Sequence, residues 1–542
     1  MCDAARGPTM THAATANRRV LLAIPVIPPS FWSFRETNRL MRARTLLPPL
    51  GMITVAAMLP REWDLRLVDL NVRPLRQDDW DWAEIVMLSA MLVQQQGMLA
   101  LVAEAKRRGK VVVVGGPYPT SVPDDVLAAG CDFLIQGEAE NALPLLLAAL
   151  AAGRTRGVFS CAEKPDLTAS PIPRFDLLDL AAYGCVSLQT SRGCPFDCEF
   201  CDVINLYGRT PRYKTPGQIL AELETLYRLG WRGDVFVADD NFIGNKRQAR
   251  LLLEALIPWM EQRGKPFGFI TQASVNLGQD QELIDLMTAA NFGFVFIGVE
   301  SPDEDVLERA HKPQNIRHPL AESLRNINRH GLTVIASFVL GLDGERRGAG
   351  ERIAAFVEMT GIPLATLNIL QSIPNTALWA RLQREGRLRN LTTGDTTEPR
   401  LNFEPSRPEA EIVAEYLALW DHLYEPRNFY ARAHRYILEM RPTRRALGLA
   451  PPGSPGHGPA LRAAAAGHRR GYVAVLWRLF WRRAVFSRCN LLLWRLTLAV
   501  YRRNPSRLKR FFIICAMGEN LFPLRALVRQ GAGESVSSRR AG

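Results

Sequence analysis

The sequence predicts a chain of three α/β and α parts: a doubly wound α/β domain, a partial (β/α)6 barrel and a helical extension. Three observations carry this. Two separate series of continuous apolar, β-branched runs alternate with helical stretches, one over 18–150 and one after Val186. A Pro-rich segment, "CAEKPDLTASPIPRFDLLDL" (161–180), stands between them. Past Thr392 the strand pattern gives way to helical, Arg- and Trp-rich sequence. A length of 542 residues is too great for one core. The expected divisions are 18–160, a linker at 161–180, 181–391, and 392–542.

In the first part, "RVLLAIPV", "LRLVDLN", "EIVMLSAM", "KVVVVGGP" and "DFLIQGE" read as five strands. Helical stretches such as "QGMLALVAEAKRRG" separate them. Fully apolar strands with intervening helices predict a parallel, Rossmann-like sheet, which binds ligands beyond the carboxyl ends of its strands. Those ends carry Pro25, Ser89, "GGPYPT" (Gly115, Gly116) and "QGEAE" (Gly137, Glu138). No GxGxxG follows the first strand, so a dinucleotide site is not expected.

The second part offers six strands: "VSLQTS", "DVFVADD", "FGFITQAS", "FGFVFIGVES", "LTVIASFVLGL" and "ATLNILQS". Helices such as "PGQILAELETLYRLG", with a stop at Gly230, lie between them. Six β/α units predict a partial TIM-type barrel with its chemistry at the strand C-termini.

Directly after the first of these strands stands "SRGCPFDCEFCD", with Cys194, Cys198 and Cys201 inside eight residues. The other six of the nine cysteines are scattered. That is no disulfide framework for so long a chain. A structural zinc site needs four ligands. No histidine lies between His12 and His311, and no fourth cysteine is near in sequence. A disulfide plus a spare thiol does not suit a reducing compartment. Three soft thiolates suit a [4Fe–4S] cluster with one iron left open to another ligand.

CxxxCxxC with an aromatic, Phe200, before the last cysteine resembles the radical S-adenosylmethionine (SAM) superfamily over about Val186 to Arg389. The resemblance implies that the open iron takes SAM and that one-electron cleavage gives a 5′-deoxyadenosyl radical. It further implies SAM contacts at Asp239 and Asp240 in "ADDNF", Ser274, Glu300 in "IGVES" toward the ribose, Gly341 in "FVLGL", and the backbone of "LQSIP" (370–374). Solvated or packing roles are the alternatives for each. "CEFCDVINLYGRTPRYKTP" through "DDNFIGNKR", with "PPSFWSF", "LPPLGMITVAAMLP" and "RLVDLN", resembles one subgroup: cobalamin-binding radical SAM proteins with a helical extension, which include hopanoid C-2 methyltransferases.

That subgroup implies cobalamin on the strand ends of the first domain, at Ser89, Gly115, Gly116, Gly137 and Glu138. The DxHxxG motif is absent: Asn71 stands two residues after Asp69, where the histidine would be. Cobalt is therefore expected without a lower imidazole, and a cofactor-free flavodoxin-like domain is the alternative. With both cofactors, one SAM gives methylcobalamin and a second gives the radical that takes hydrogen from an unreactive carbon. A flavodoxin or ferredoxin would supply electrons. Tyr207, Arg209, Arg212 and Lys214 are either active-site lining or a solvated basic turn, and Cys185 is given no role.

The net charge of +13 is uneven, since Glu519 and Glu534 are the only acids from Leu461 to Gly542. Arg478, Arg482, Arg483, Arg488 and Arg495 interleave with Trp477, Trp481 and Trp494. This suits peripheral contact with a membrane face, against a helical cap on the barrel as the alternative. Nucleic acid is disfavoured because the apolar content is too continuous. No apolar run reaches the ~20 residues that span a bilayer. "MCDAARGPTMTHAATANRR" lacks the apolar core of a signal peptide, so the cytoplasm is the expected compartment. An apolar, hopanoid-like lipid is the expected substrate. A tetrapyrrole or natural-product intermediate and a non-catalytic iron–sulfur or corrinoid sensor are the rivals.

Overall fold

The computed structural model describes residues 17–389, 392–449 and 490–541. The N-terminal sheet is parallel throughout: β1 (Arg19–Ile24), β2 (Asp64–Asp69), β3 (Ile85–Ser89), β4 (Val111–Gly115), β5 (Phe133–Gln136) and β6 (Gly157–Ser160). Its order is β2-β1-β3-β4-β5-β6. The connections reverse between β1 and β3, which opens a crevice at those strand ends. Helices cover both faces, with separate apolar clusters above and below the sheet. The sixth strand was not among the five expected. It is four residues long at the sheet edge and largely exposed, so it lacks the apolar run that marks the others.

All six expected barrel strands form: β7 (Val186–Leu188), β10 (Asp234–Val237), β11 (Gly268–Gln272), β12 (Phe292–Glu300), β13 (Thr333–Leu340) and β14 (Leu364–Ile369). They pair in parallel and in chain order, leaving an open barrel. A short antiparallel ribbon, β8 (Ser191–Arg192) with β9 (Arg212–Tyr213), closes the base of the cysteine loop. The 161–180 segment runs through short 3-10 turns at Leu167–Ala169 and Phe175–Leu177.

Among the described residues, four helices of the extension cap the barrel: α1 (Glu409–Leu423), α2 (Pro426–Glu439), α3 (Asn490–Arg503) and α4 (Leu508–Ala541). Tyr416, Trp420, Phe429, Val500, Phe511 and Leu521 join the barrel's own core. Arg432, fully buried, ties α2 to the barrel through the Ile362 carbonyl (2.9 Å) and Glu358 (2.8 Å), and to the end of α1 through the Leu423 carbonyl (2.8 Å). By length and apolar content Pro505–Gly531 is enough to cross a membrane, which corrects the expectation that no such stretch exists. A little over half of its most apolar window is buried inside the protein, and its apolar face packs on the barrel. Arg478, Arg482, Arg483, Arg488, Trp477 and Trp481 lie outside the described residues, as does His12.

Candidate functional site

The three cysteines sit in a loop held at three points. Asp239, at the end of β10, is fully buried. It accepts from the backbone N–H of Thr190 (2.6 Å) and Ser191 (3.0 Å), and from both hydroxyls, Ser191 Oγ at 2.8 Å. Next to it, Asp240 accepts from the Gly193 N–H at 2.8 Å. Gly193 has φ +98°, and a Cβ there would meet the Gly208 carbonyl at 2.9 Å, so the entry to the loop requires glycine. The loop returns through the Cys194 N–H to the Gly208 carbonyl (3.2 Å) and the β8–β9 ribbon. A third hold comes from the segment after β12, where the Glu199 N–H donates to the Ala310 carbonyl (3.2 Å).

Burial pushes the Cys194 thiol up and the Cys201 thiol up to about 12, and mutual repulsion with Cys198 adds to both. Three neighbouring thiolates need a cationic centre among them. The backbone N–H groups of Phe196 and Val203 bond to Cys194 and Cys201, and Gln314 Nε2 donates to Cys198 Sγ at 3.6 Å. Sulfur-directed donors of this kind are what a cluster's thiolates use. Among the described residues no group of three or more Cys, His, Asp or Glu converges on one ion position. In a cluster each thiolate binds its own iron, so the donor set fits that group.

Two buried polar atoms beside the loop, Gln314 Oε1 and Asn315 Oδ1, have no hydrogen-bond partner. The Asn315 amide instead donates to the Gly298 (3.0 Å) and Val299 (2.9 Å) carbonyls. Glu300 ends β12 at φ +63°, a costly conformation for a carboxylate side chain, where the β12–β13 register shifts. It is buried and pairs with Lys312, whose ammonium lies 5.9 Å from the Phe200 ring centroid. Burial alone would depress Lys312, but Glu300 and the Cys198 thiolate hold it above its ordinary value. A Cβ on Gly298 would collide with both members, Lys312 Nζ at 2.7 Å. Lys312 and Gln314 were missed by sequence reasoning, because "HKPQN" carries no spacing signal.

Other expected SAM residues lie on the same rim. Ser274, two residues past β11, donates to Asn276 Oδ1 (2.6 Å) and takes a bond from Asn241 Nδ2 (3.1 Å). Gly341 follows β13 at φ +94° and donates to Glu345 (2.9 Å). In the "LQSIP" segment, the Ser372 N–H donates to Asn402 Oδ1 (2.9 Å). Asp240 is pushed up to about 6 by burial. Asp239 spends its lone pairs on Thr190 and Ser191, so its geometry is that of a brace.

In the N-terminal domain, Ser89 and Gly115 end β3 and β4, Gly116 follows β4 and Gly137 follows β5, so all four stand at the carboxyl edge of the sheet. Gly116 has φ +99°, and a Cβ there would clash with Ser89 Oγ. The Gly137 N–H donates to Thr120 Oγ1 (2.9 Å). Glu138 is nearly inaccessible and pairs with Arg192 (2.7 Å) and Arg212 (2.8 Å). Arg192 also pairs with Glu140 (2.8 Å). Glu138 is thus a joint between the crevice and the cysteine loop, and its carboxylate is engaged. Arg212 belongs to that joint, Lys214 forms a buried pair with Glu222, and Tyr207 is half-buried. Cys185 is buried against the Asp234 carbonyl. Asn71 accepts from the Ile27 N–H (2.8 Å) and donates to Asp69 (2.7 Å), closing the turn with side-chain bonds.

Comparison with known proteins agrees with this architecture. Residues 188–357 match the radical SAM superfamily, 40–147 a B12 binding domain, and 376–534 a domain of unknown function, DUF4070. The chain is 46% identical over 519 residues to an uncharacterized methyltransferase of Synechocystis sp., covering 96% of this chain and 94% of that one. It is 37% identical over 442 residues to the hopanoid C-2 methylase of Rhodopseudomonas palustris, covering 80% and 82%. The cobalamin-dependent S-adenosylmethionine radical enzyme OxsB, solved with aqua-cobalamin and S-adenosylmethionine bound, shares the fold at TM-score 0.59 and 15% identity, over 96% of this chain and 81% of that one. The chain belongs to the cobalamin-dependent radical SAM methyltransferases, enzymes whose cofactors are a [4Fe–4S] cluster, S-adenosylmethionine and cobalamin.

Proposed function

We propose that this enzyme transfers a methyl group to an unactivated carbon of an apolar, hopanoid-like lipid, at C-2. The observation that carries this reading is the likeness to the hopanoid C-2 methylase, which covers 80% of this chain at 37% identity. A polycyclic hydrocarbon offers no acidic proton or leaving group, so the reaction class suits it.

The bound cofactors supply a 5′-deoxyadenosyl radical and a transferable methyl group. The protein's own part is positioning and shielding. Cys194, Cys198 and Cys201 would hold three irons in a loop clamped by Asp239. Gln314 and Asn315 each leave a buried side-chain oxygen unpaired beside that loop, and Glu300, Ser274 and Gly341 stand on the rim for SAM. A wide flat cofactor would lie at the strand ends beside Ser89, Gly115, Gly116 and Gly137, where a Cβ on Gly137 would enter open space and Gly116 packs against Ser89. The Glu138–Arg192–Arg212 joint links those strand ends to the cluster loop, so the two cofactors would face one enclosed volume, which excludes water from the radical. A flavodoxin or ferredoxin in the cytoplasm is the proposed reductant.

The test is anaerobic reconstitution with iron, sulfide and cobalamin, then incubation with SAM, a reductant and diploptene. Mass spectrometry should find 5′-deoxyadenosine and a lipid heavier by one CH2, the second only with cobalamin. Formation of 5′-deoxyadenosine with an unmodified lipid would overturn the substrate. A tetrapyrrole or natural-product scaffold would then be tried.

A further inference from the structure

We propose that the outer face of α3 docks this enzyme on an anionic lipid bilayer. The helix carries two apolar stripes. Leu493 and Val500 point inward and belong to the barrel's core. Leu491, Trp494, Leu498 and Tyr501 point outward and are 70%, 46%, 47% and 61% exposed. Steps of three, four and three residues put these four on one face of a helix. They are four of the eighteen large apolar side chains that the described surface exposes, gathered within eleven residues. Single exposed apolar residues need no explanation, whereas a continuous stripe marks a surface that meets something.

The charge on the same face says what it meets. Arg495 and Arg502 each follow a stripe residue by one position, fall on the stripe's edge and are exposed. No acid lies on α3. Of the two acids after Leu461, Glu519 is buried and accepts from the Tyr430 hydroxyl at 3.0 Å, so it does not offset the surface. Leucines reaching below the headgroups, Trp and Tyr rings at headgroup level and arginines bonded to phosphates are the arrangement of an interfacial helix. At 14 residues α3 is ~21 Å long, too short to cross the ~30 Å hydrocarbon layer. Its inner stripe is held by the core, so it must lie flat. The docking deepens the lipid reading above, since a hopanoid-like substrate resides in that phase, but its evidence is independent of the substrate.

The experiment is vesicle flotation of the full reconstituted chain. One vesicle set is phosphatidylcholine alone and the other contains phosphatidylglycerol. Neither contains a hopanoid, so failure of the substrate reading leaves the result interpretable. The expected result is binding to the phosphatidylglycerol vesicles at least tenfold above phosphatidylcholine. Leu491→Ser with Trp494→Ser and Leu498→Ser should lower it at least tenfold, and so should Arg495→Gln with Arg502→Gln. Unchanged thermal melting would confirm that these surface variants fold. Equal binding to both vesicle types, or full binding by either variant, would overturn the proposal. So would a chain that does not float but changes from dimer to monomer on the triple substitution, which would identify a second copy as the occupant.

Discussion

Two carboxylates stand at strand ends in the two α/β domains, and their partners differ. Glu300 ends β12 in the barrel and pairs with a lysine from the following segment. Glu138 follows β5 in the other domain and pairs with two arginines from the cysteine loop's ribbon. The first pair is local, strained at φ +63° and beside two unpaired polar atoms. The second has a relaxed backbone, both Glu138 oxygens engaged and only Arg212 Nε left without a partner, and it spans two domains. A strained carboxylate beside unmet carboxamide oxygens marks a site built for a ligand, whereas a carboxylate held on both oxygens marks a site built for stability.

The most severe break is at the loop both pairs serve. Cys198→Ala should lower 5′-deoxyadenosine formation by about a thousandfold or more, because the protein has no group of its own that can replace cofactor chemistry. Iron content and absorption of the reconstituted variant would check that the loss is one of cluster binding.

Next come the pairs themselves. Lys312→Met strands a buried carboxylate and should cost about 3–5 kcal/mol of stability in the cofactor-free protein. Glu138→Ala should cost less, about 2–3 kcal/mol, because Glu140 still meets Arg192. Chemical denaturation of both variants reads the difference. The reverse order would mean that the domain joint, and not the barrel mouth, is the more tightly built region.

A third carboxylate sharpens the same contrast. Glu345, beneath Gly341, is buried with Arg407 at 3.1 Å and one oxygen unpaired, and burial raises it to about 7. A carboxyl whose folded value exceeds its unfolded one contributes stability that is full below about pH 4.5 and is lost as pH rises through 7. Glu345→Gln should therefore remove up to about 3 kcal/mol of pH dependence between pH 4.5 and 7.5. Parallel stability curves for the two proteins over that range would refute the assignment.

How much of this was legible follows from the kind of signal each residue leaves. Cys194, Cys198 and Cys201 were visible because three thiols at fixed spacing have few other uses. The strands were visible because burial on both faces demands unbroken apolar runs, and β6 was not, because an exposed edge strand makes no such demand. Asp239 and Glu138 were seen as acids at strand ends. Their partners were not, since Thr190, Arg192 and Arg212 come close only through the fold. Lys312 was invisible for the same reason: its neighbours Glu300 and Phe200 lie 12 and 112 positions away.

The smallest predicted effect tests the comparison most directly. If Lys312 and Glu300 face the cluster as fixed charges, they should move its reduction potential in opposite directions. Losing a cation beside the thiolates disfavours the added electron, so Lys312→Met should lower the midpoint, and Glu300→Gln should raise it. A shift of about 60 mV, tenfold in a one-electron equilibrium, is the expected scale. The titration is followed by electron paramagnetic resonance without SAM, so loss of SAM binding cannot contribute. Glu138→Gln, whose charge is absorbed by two arginines, should leave the midpoint in place. Shifts of the same sign in the Lys312 and Glu300 variants would point to disturbed packing around the loop. A shift in Glu138→Gln as large as theirs would place the domain joint within the field of the site and erase the distinction between the two carboxylates.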